Sequence, residues 1–343
     1  MGSSLRHLLI RAPNWVGDLV MATPVLEAAL ACGRFERVTV VCRKPLDDVL
    51  ADGPVAEHVQ VVGREDEAAA WRALGADGVL LLTNSFGAAW RAWRSGIRVR
   101  AGTSLSGRGF LLTHRIVPAS RDGRRVPIPT AHLHRDLAGL VGIEVPSIHP
   151  RLHYSEEQAR AMRASLAEVG LEAGEPYVLC APSAAFGAAK LWPPEHFAAA
   201  LDGIHERLGL RAVITGGPGE EPQMRAVIDA CRHPALSLES QPRNLQLLKP
   251  LVAESKLLLV GDSGPRWYAA AFDVPCVSLM GPNYPELTAT SLEHCRVLRV
   301  EGLECSPCLR RVCPLGHHRC MRELAPERAV RAAEELLTAQ AVS

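Results

Sequence analysis

Residues 262–285 read DSGPRWYAAAFDVPCVSLMGPNYP, and this stretch decides the fold. An acidic residue, a serine and a glycine come first. An alanine-rich segment follows, and the apolar run Pro275–Met280 then leads into a Gly-Pro-Asn turn. A turn of this kind ahead of a helix presents backbone N–H groups, which form a ready site for an anion. Because a strand-like run lies beyond the helix, the stretch predicts a β-turn-α-β unit, the architecture in which nucleotide phosphates are usually held.

Strand-like and helix-like segments alternate along the rest of the chain. Strands are predicted at His7–Arg11, Arg37–Cys42, Val59–Val62, Gly78–Thr83, Tyr177–Ala181, Arg211–Thr215 and Leu257–Val260. Helices are predicted at Gly17–Ala31, Pro45–Leu50, Glu65–Leu74, His132–Val141, Glu156–Val169, Glu195–Leu208, Glu220–Cys231, Leu245–Glu254 and Pro326–Ala341. Repeated βα units of this length indicate parallel sheets that are covered by helices on both faces.

The predicted domain organisation has three parts. Residues 1–170 form an N-terminal domain and residues 175–325 a C-terminal domain, with a glycine-containing hinge between them. Residues 326–343 form a last helix, which we expect to pack back towards the N-terminal domain. Two similar α/β domains joined by one hinge predict a cleft in which a ligand binds.

Length and charge narrow the class of protein. A chain of 343 residues and 37.0 kDa has room for two domains with full cores. A formal net charge of +1 argues against a dedicated nucleic-acid-binding protein, so no nucleic-acid partner is expected. Basic clusters still occur at Arg91–Arg100 and Arg121–Arg125. They indicate either a solvated surface or contact with an anionic acceptor or a membrane surface.

The sequence has no membrane-spanning or secretory signature. No apolar run approaches the roughly 20 residues that a membrane-spanning helix needs. The run Leu8–Ile10 meets a charged residue at once, which makes it too short for a signal peptide. A cytoplasmic location is therefore expected.

Four cysteines cluster near the C-terminus, and two histidines lie inside the last interval between them. The cysteines are Cys305, Cys308, Cys313 and Cys320, and the histidines are His317 and His318. Four thiols at this spacing could hold a structural zinc ion or an iron–sulfur cluster, for which we expect no catalytic role. A disulfide-linked loop or a fully reduced loop is the competing interpretation.

Short motifs that run in order along nearly the whole chain carry a family resemblance. They are Pro13–Met21 (PNWVGDLVM), Thr83–Phe86 (TNSF), Gly107–His114 (GRGFLLTH), Ala184–Gly187 (AAFG), Lys190–Pro194 (KLWPP), Asp262–Arg266 (DSGPR), Gly281–Asn283 (GPN), Cys305–Cys308 (CSPC) and Gly316–Cys320 (GHHRC). Together they resemble the ADP-heptose lipopolysaccharide heptosyltransferases of glycosyltransferase family 9, closest to the heptosyltransferase II subgroup. The resemblance implies an α/β protein with the GT-B fold, in which two Rossmann-like domains face each other across a cleft.

The same resemblance implies the reaction and its setting. The family transfers L-glycero-D-manno-heptose from ADP-heptose to the heptosyl-Kdo2-lipid A inner core of lipopolysaccharide, with inversion and without a required metal or other cofactor. The N-terminal domain would bind the acceptor, and the C-terminal domain would bind the ADP-sugar. Since the acceptor is amphiphilic, we expect peripheral contact with the cytoplasmic face of the inner membrane.

Asp18 is the candidate catalytic base. An inverting transfer needs a group that deprotonates the acceptor hydroxyl while ADP leaves from the opposite face of the sugar, and a carboxylate suits that role. The pair Gly17–Asp18 falls at a predicted strand-to-helix turn. The structural alternative is an acid that caps the helix or stabilises its first turn.

The remaining site predictions divide between donor and acceptor. For the nucleotide-sugar we predict that Lys190 and the backbone N–H groups of Ser263 and Gly264 contact the diphosphate, and that Asp262 binds a sugar or ribose hydroxyl or fixes the loop. Thr215 and Gly216 should line the same cleft, and Met280 and Gly281, with the turn as far as Asn283, should form a wall on the adenine side. For the acceptor we predict Asn14, Trp15, Asn84, Ser85 and Arg108, since aromatic faces suit sugar rings and arginine suits phosphates or carboxylates.

The chain also departs from the family pattern. Trp267 stands where histidine is usual, Ser183 where glycine is usual, and Gly261 where a polar residue is usual. Tryptophan cannot carry a proton or a positive charge. The alternative function is therefore a non-catalytic or impaired relative that binds nucleotide-sugar or acceptor. The other interpretation of Trp267 is packing between helix and sheet. A nucleotide-dependent oxidoreductase is disfavoured because Pro13–Asp18 lacks the pattern G-x-G-x-x-G.

Overall fold

The computed structural model describes residues 5–121 and 124–342. The backbone divides into two compact units. The first unit runs to His153 and includes Glu286–Thr290, and the second comprises Tyr154–Pro285 and the chain from Ser291 onward.

The first unit is built on a parallel six-stranded sheet. Its strands are β1 (His7–Arg11), β2 (Arg37–Cys42), β3 (Val59–Val61), β4 (Gly78–Leu81), β5 (Val99–Thr103) and β6 (His114–Ile116), and an antiparallel pair follows as β7 (Ser120–Arg121) and β8 (Arg124–Arg125). Its helices are α1 (Val16–Ala31), α2 (Asp47–Leu50), α3 (Glu67–Leu74), α4 (Phe86–Arg94) and α5 (Thr130–Gly139). The strand order is β3-β2-β1-β4-β5-β6.

The second unit repeats this plan. Its strands are β9 (Tyr177–Ala181), β10 (Arg211–Ile214), β11 (Leu236–Ser237), β12 (Leu257–Gly261), β13 (Cys276–Leu279) and β14 (Cys295–Leu298), in the order β11-β10-β9-β12-β13-β14. Its helices are α6 (Glu156–Glu168), α7 (Pro194–Leu208), α8 (Glu221–Ala230), α9 (Leu248–Ala253), α10 (Pro265–Ala271), α11 (Arg319–Arg322) and α12 (Pro326–Val342). The α/β class predicted from the sequence is confirmed.

The central strands are buried along their whole length. β1, β9 and β12 have no exposed position, as expected for parallel strands that are covered by helices on both faces. Local sequence sets the helix ends beside them. Ser155 and Gln158 form a capping box at the start of α6, and Gly209 ends α7 in the left-handed conformation at φ 68°.

The last helix packs within the second unit. α12 lies against α7 and places Ala329, Val330, Ala333 and Leu336 in the core around that sheet. Just before it, Trp192 donates a hydrogen bond from Nε1 to the Leu324 carbonyl at 3.0 Å. The apolar face of this helix is therefore covered inside the second unit, and packing of the helix back towards the N-terminal domain stays a prediction.

Strand order fixes where a site can form in each unit. The order reverses between β1 and β4 in the first sheet and between β9 and β12 in the second. In doubly wound sheets, ligands bind outside the carboxyl ends of the strands at such a switch point.

Candidate functional site

The switch point of the second sheet carries a charged cluster. Lys190 Nζ lies 2.6 Å from Asp262 Oδ2 and donates to the Asp262 backbone oxygen at 3.1 Å. Asn283 Nδ2 donates to the same carboxylate oxygen at 2.9 Å. Lys190 follows β9, Asp262 follows β12 and Asn283 follows β13, so three separate loops meet. The structure thus brings together the predicted Lys190 and Asp262, and it places Asn283 of the predicted adenine-side wall on the Asp262 carboxylate.

Two serine hydroxyls at this switch point are buried without a hydrogen-bond partner among the described residues. They are Ser183 Oγ, just after β9, and Ser263 Oγ, just after β12. An unpaired buried hydroxyl costs about 1–3 kcal/mol, and a hydroxyl of this kind calls for an explanation such as a ligand or water. Anionic oxygens could accept hydrogen bonds from both groups and from Lys190, which suits a phosphate or diphosphate.

The loop that carries Lys190 is braced by the cysteine-rich segment. Arg311 donates from Nη1 to the Phe186 carbonyl at 3.1 Å, and Ala189 N donates to the Arg311 carbonyl at 2.9 Å. His318 Nε2 lies 2.9 Å from the Ala189 carbonyl. Lys190 and Arg311 also place their cationic groups 4.9 and 5.1 Å from the Phe186 ring centroid. Residues 305–320 therefore help to hold the loop 186–190, which carries Lys190.

The other predicted donor residues lie around the same sheet edge. Thr215 and Gly216 follow β10, and Arg243 donates to the Gly216 carbonyl at 3.1 Å. Gly264 directly precedes α10. Met280 and Gly281 are buried. Met321 packs so closely against Gly281 that a side chain at position 281 would overlap Met321 Sδ, so protein atoms occupy the space on that side of Gly281.

The switch point of the first sheet brings together four of the five predicted acceptor residues. Asn14 and Trp15 follow β1 and are exposed, and Asn84 and Ser85 follow β4. Asn84 Oδ1 accepts a hydrogen bond from Thr103 Oγ1 at 2.7 Å. Ser85 is the N-cap of α4, where its side chain accepts from Ala88 N at 3.3 Å.

Arg108 is buried, whereas direct contact with an acceptor requires an exposed side chain. Its exposed fraction is 0%. It donates to the Thr103 carbonyl at 2.9 Å, to Thr103 Oγ1 at 3.1 Å and to the Ser85 carbonyl at 3.1 Å. Burial lowers the pKa of this guanidinium to about 10. In this structure Arg108 holds the loop after β4, and contact with an acceptor stays a prediction.

Asp18 lies in the first turn of α1 and is half-buried. Because the helix N-terminus carries partial positive charge, it stabilises a carboxylate at this position. The position agrees with both interpretations of Asp18, the base and the helix-stabilising acid. Its role therefore stays a prediction.

A cluster of charged residues that the sequence did not indicate lies behind the first switch point. Glu67 is fully buried and contacts Arg11 Nε at 2.9 Å, Arg43 Nη2 at 2.9 Å and Arg91 Nε at 2.5 Å. Arg11 in turn donates from Nη2 to Asn14 Oδ1 at 2.8 Å. These residues are far apart in sequence and share no motif, so no sequence pattern could have grouped them.

Trp267 lies on α10 and is 4% exposed. The Arg266 guanidinium carbon sits 4.8 Å from its ring centroid. This environment agrees with the packing interpretation of the residue.

The four C-terminal cysteines do not form a recognisable metal site. All ten cysteines of the chain fall within the described residues, and all are free thiols. Within those residues, no group of three or more His, Cys, Asp or Glu side chains is arranged to hold a metal ion. The thiols have unlike surroundings. Backbone N–H groups of residues 315–318 lower the pKa of Cys313, while burial raises the pKa of Cys320 to about 11. The predicted zinc or iron–sulfur centre is left without structural support. Of the two competing interpretations, the free thiols agree with a fully reduced loop and not with a disulfide-linked one.

No helix in the described part of the chain has both the length and the apolar composition to cross a bilayer.

Two doubly wound parallel sheets, each with polar side chains at its switch point, define the class of this protein as α/β. Comparison with known proteins identifies the family. The model of glycosyltransferase family 9 (heptosyltransferase) matches residues 68–319, and the chain belongs to that family.

Curated relatives agree with this assignment. The chain is 25% identical to lipopolysaccharide heptosyltransferase 2 of Salmonella typhimurium, with 98% of this chain and 99% of that protein covered. It is 26% identical to lipooligosaccharide heptosyltransferase 2 of Campylobacter jejuni over 159 residues, which cover 46% of this chain and 49% of that protein. The matched region thus spans about half the length of the Campylobacter relative and nearly all of the Salmonella one.

Solved structures show the same fold. The E. coli ADP-heptose lipopolysaccharide heptosyltransferase II superposes with a TM-score of 0.77 at 22% identity, covering 97% of this chain and 99% of that one. A family 9 glycosyltransferase from Veillonella parvula gives a TM-score of 0.80 at 21% identity, covering 98% and 99%. The predicted α/β fold of the GT-B heptosyltransferases is confirmed.

Proposed function

We propose that this protein transfers L-glycero-D-manno-heptose from ADP-heptose to the heptosyl-Kdo2-lipid A inner core, with inversion and without a metal. The observation that carries the proposal is the cluster of Lys190, Asp262 and Asn283 at the second switch point, beside the unpaired hydroxyls of Ser183 and Ser263. Family membership and the relatives named as heptosyltransferases support the choice of sugar and acceptor.

In the proposed donor site, Lys190 and the two serines bind the diphosphate. Lys190 is paired with Asp262 in this structure. An incoming diphosphate would compete for the ammonium group, while Asn283 continues to donate to the Asp262 carboxylate. Positive charge and N–H donors placed where charge develops on the leaving group are the main means of lowering such a barrier without a metal.

The proposed reaction is a single displacement. Asp18 takes the proton of the acceptor hydroxyl as the acceptor oxygen bonds to the anomeric carbon. The bond from that carbon to the diphosphate oxygen breaks, and its electron pair leaves with ADP. The sugar passes through an oxocarbenium-like transition state and inverts at the anomeric carbon.

The proposed acceptor site uses the exposed Asn14 and Trp15 with Asn84 and Ser85. Arg108 acts as a positioning residue in this proposal because its three hydrogen bonds fix Thr103 and the Ser85 carbonyl. Since the acceptor is anchored in lipid, the enzyme would work as a peripheral protein at the inner face of the inner membrane.

A mass-spectrometric transfer assay tests this function. ADP-heptose and a heptosyl-Kdo2-lipid A acceptor are incubated with the parent, with Asp18→Asn and with the exposed control Asp136→Asn. The parent and the control should add one heptose, and Asp18→Asn should be slower by about 10²–10⁴-fold, the usual contribution of a general base.

Each result of that assay has one meaning. Transfer that survives in Asp18→Asn would remove Asp18 as the base and leave the enzyme assignment intact. A parent that is folded by circular dichroism but adds no heptose would contradict the proposed function. Product with the donor's anomeric configuration, read by NMR, would contradict inversion.

A further inference from the structure

Helix α4 presents its large apolar side chains outward. Phe86, Trp90 and Trp93 recur at intervals of four and three residues, so they share one helix face. Their exposed fractions are 42%, 40% and 50%. The side of the helix that faces the core carries only alanines, at positions 88, 89 and 92. This arrangement reverses the usual one, in which the bulky apolar face of a surface helix is buried.

A second segment extends this surface. The Phe110 ring, which is 73% exposed in the short turn Gly109–Leu111, lies 6.2 Å from the Phe86 ring. Phe86 and Trp90 are stacked at 6.4 Å, and Trp90 and Trp93 are 5.0 Å apart. These four side chains, Phe86, Trp90, Trp93 and Phe110, form one connected patch, which we call the aromatic face.

Exposed arginines lie beside the aromatic face. Residues 84–121 contain seven arginines and no aspartate or glutamate. Arg94 is exposed and lies on α4 one turn beyond Trp90. Arg115 is exposed and donates to the Gly109 carbonyl at 2.8 Å, which places it beside Phe110.

Not every arginine of this segment contributes to that rim. Arg91 is bound to the buried Glu67, Arg98 lies 3.6 Å from Asp77, and Arg108 is buried. Arg100 is half-buried and donates to the carbonyls of Leu111, Ile97 and Arg98, and Arg121 lies in β7. We assign Arg94 and Arg115 to the rim, because both are exposed and lie next to the aromatic residues in the structure.

We propose that the aromatic face docks on an anionic phospholipid bilayer. Tryptophan and phenylalanine are the side chains that enter the headgroup region from a surface helix, and arginines beside them are attracted to anionic lipid phosphates. A patch with one sign of charge and no acidic residue in its sequence segment is complementary to such a surface. The inference rests on the proposed function only in that a lipid-anchored acceptor would lie in the same bilayer.

The same charge argues against a second copy as the occupant. In a two-fold dimer formed through this face, the patch of each copy would meet the same patch of the other. Arg94 and Arg115 of the two copies would then approach each other without an acidic partner from residues 84–121.

Vesicle co-sedimentation of the full chain, without nucleotide or acceptor, tests the proposal. The vesicles are phosphatidylethanolamine with phosphatidylglycerol, and neutral vesicles of phosphatidylcholine serve for comparison. The variants are Trp90→Ser with Trp93→Ser, and Arg94→Gln with Arg115→Gln. The matched control is Val312→Ser with Leu315→Ser, which changes two exposed apolar residues of the second unit, 69% and 61% exposed.

The parent and the control should bind anionic vesicles alike and neutral vesicles more weakly. The tryptophan variant should lose at least about tenfold in partition coefficient, because two large apolar side chains no longer leave water. The arginine variant should lose about tenfold or more on anionic vesicles, with less dependence on salt than the parent shows.

Three outcomes would overturn the proposal. The first is parent binding that does not depend on anionic lipid, and the second is a control variant that loses as much as the tryptophan variant. The third is a concentration-dependent dimer in light scattering that the tryptophan substitutions abolish. Circular dichroism confirms that each variant is folded.

Transfer to a delipidated, water-soluble acceptor separates this proposal from the proposed function. That activity should be unchanged in the tryptophan variant. Vesicle binding by a parent without transferase activity would sink the proposed function and leave the docking surface standing.

Discussion

Replacement of Glu67 by glutamine removes the one negative charge that three arginines share. The substitution keeps the side-chain size and one acceptor oxygen, so the change is mainly one of charge and of hydrogen-bonding capacity. Glu67 contacts Arg11, Arg43 and Arg91 at 2.5–2.9 Å, and both Glu67 and Arg11 are buried. Because burial already lowers the pKa of Arg11, its charged form depends on this carboxylate for compensation.

The expected loss of stability is large. Removing one partner of a buried ion pair costs about 3–5 kcal/mol, since the other charge is left buried without compensation. A folding unit of about 150 residues changes its melting temperature by about 2–4 °C per kcal/mol, so the transition of the first unit should fall by about 6–20 °C. Asn14, which accepts a hydrogen bond from Arg11, should become less ordered as well.

Differential scanning calorimetry of Glu67→Gln and the parent measures this change, and it can report separate transitions for two units. The control is Glu36→Gln, which breaks an exposed ion pair with Arg6 whose N–O distance is 2.6 Å. Exposed pairs contribute little because water and salt screen them, so the control should leave the melting temperature nearly unchanged.

A fall of less than about 2 °C in Glu67→Gln, or a fall no larger than that of Glu36→Gln, would refute this reasoning. It would mean that the three guanidinium groups find other compensation inside the unit.

Two further predictions concern the donor site and acid stability. Replacement of Lys190 by methionine should lower kcat/KM for ADP-heptose by about 10²–10³-fold, because a charge that stabilises the leaving diphosphate is lost. The exposed control Lys256→Met should retain the parent value, and equal losses in both variants would contradict the assignment. Burial lowers the pKa of His134 to about 4, below the value of about 6.5 in an unfolded chain, so the unfolded state binds more protons between these values. The free energy of unfolding should therefore fall by roughly 3 kcal/mol as the pH drops from 6.5 to 4, which urea titrations at several pH values can measure. In His134→Gln the free energy of unfolding should depend less on pH over this range, and in the exposed control His114→Gln it should depend on pH as in the parent.

The central strands could be predicted from the sequence because the residues of each strand are themselves enough to indicate it. β9 was predicted with the bounds that it has, and β12 differs from its prediction by one residue. Strands that are covered on both faces need apolar side chains at every position, so they read as short uninterrupted apolar runs.

Other helices and strands lack such apolar runs, so the spacing of their apolar residues does not predict them. α4 buries alanines and exposes aromatic residues, so its pattern points to the wrong face. β5 contains Arg100 and Gly102, and β14 is a half-buried strand at the edge of its sheet. Each of these elements is set by tertiary packing rather than by the composition of its own segment.

The candidate site was predictable in part for a similar reason. Lys190 and Asp262 lie in motifs at the ends of strands, and strand order brings such ends together. The burial of Arg108 and the grouping of three arginines around Glu67 depend on contacts between distant segments. A single sequence cannot predict these contacts, because arginine is usually exposed and its residue type alone does not indicate burial.

The central claim is that the diphosphate of an ADP-sugar binds at the switch point between β9 and β12. A crystal structure of the protein with bound ADP tests this claim most directly. We expect the diphosphate within hydrogen-bond distance of Lys190 Nζ and of the Ser263 hydroxyl, with Asn283 still donating to Asp262. A diphosphate bound elsewhere on the chain, or at this edge without contact to Lys190 or Ser263, would contradict the account.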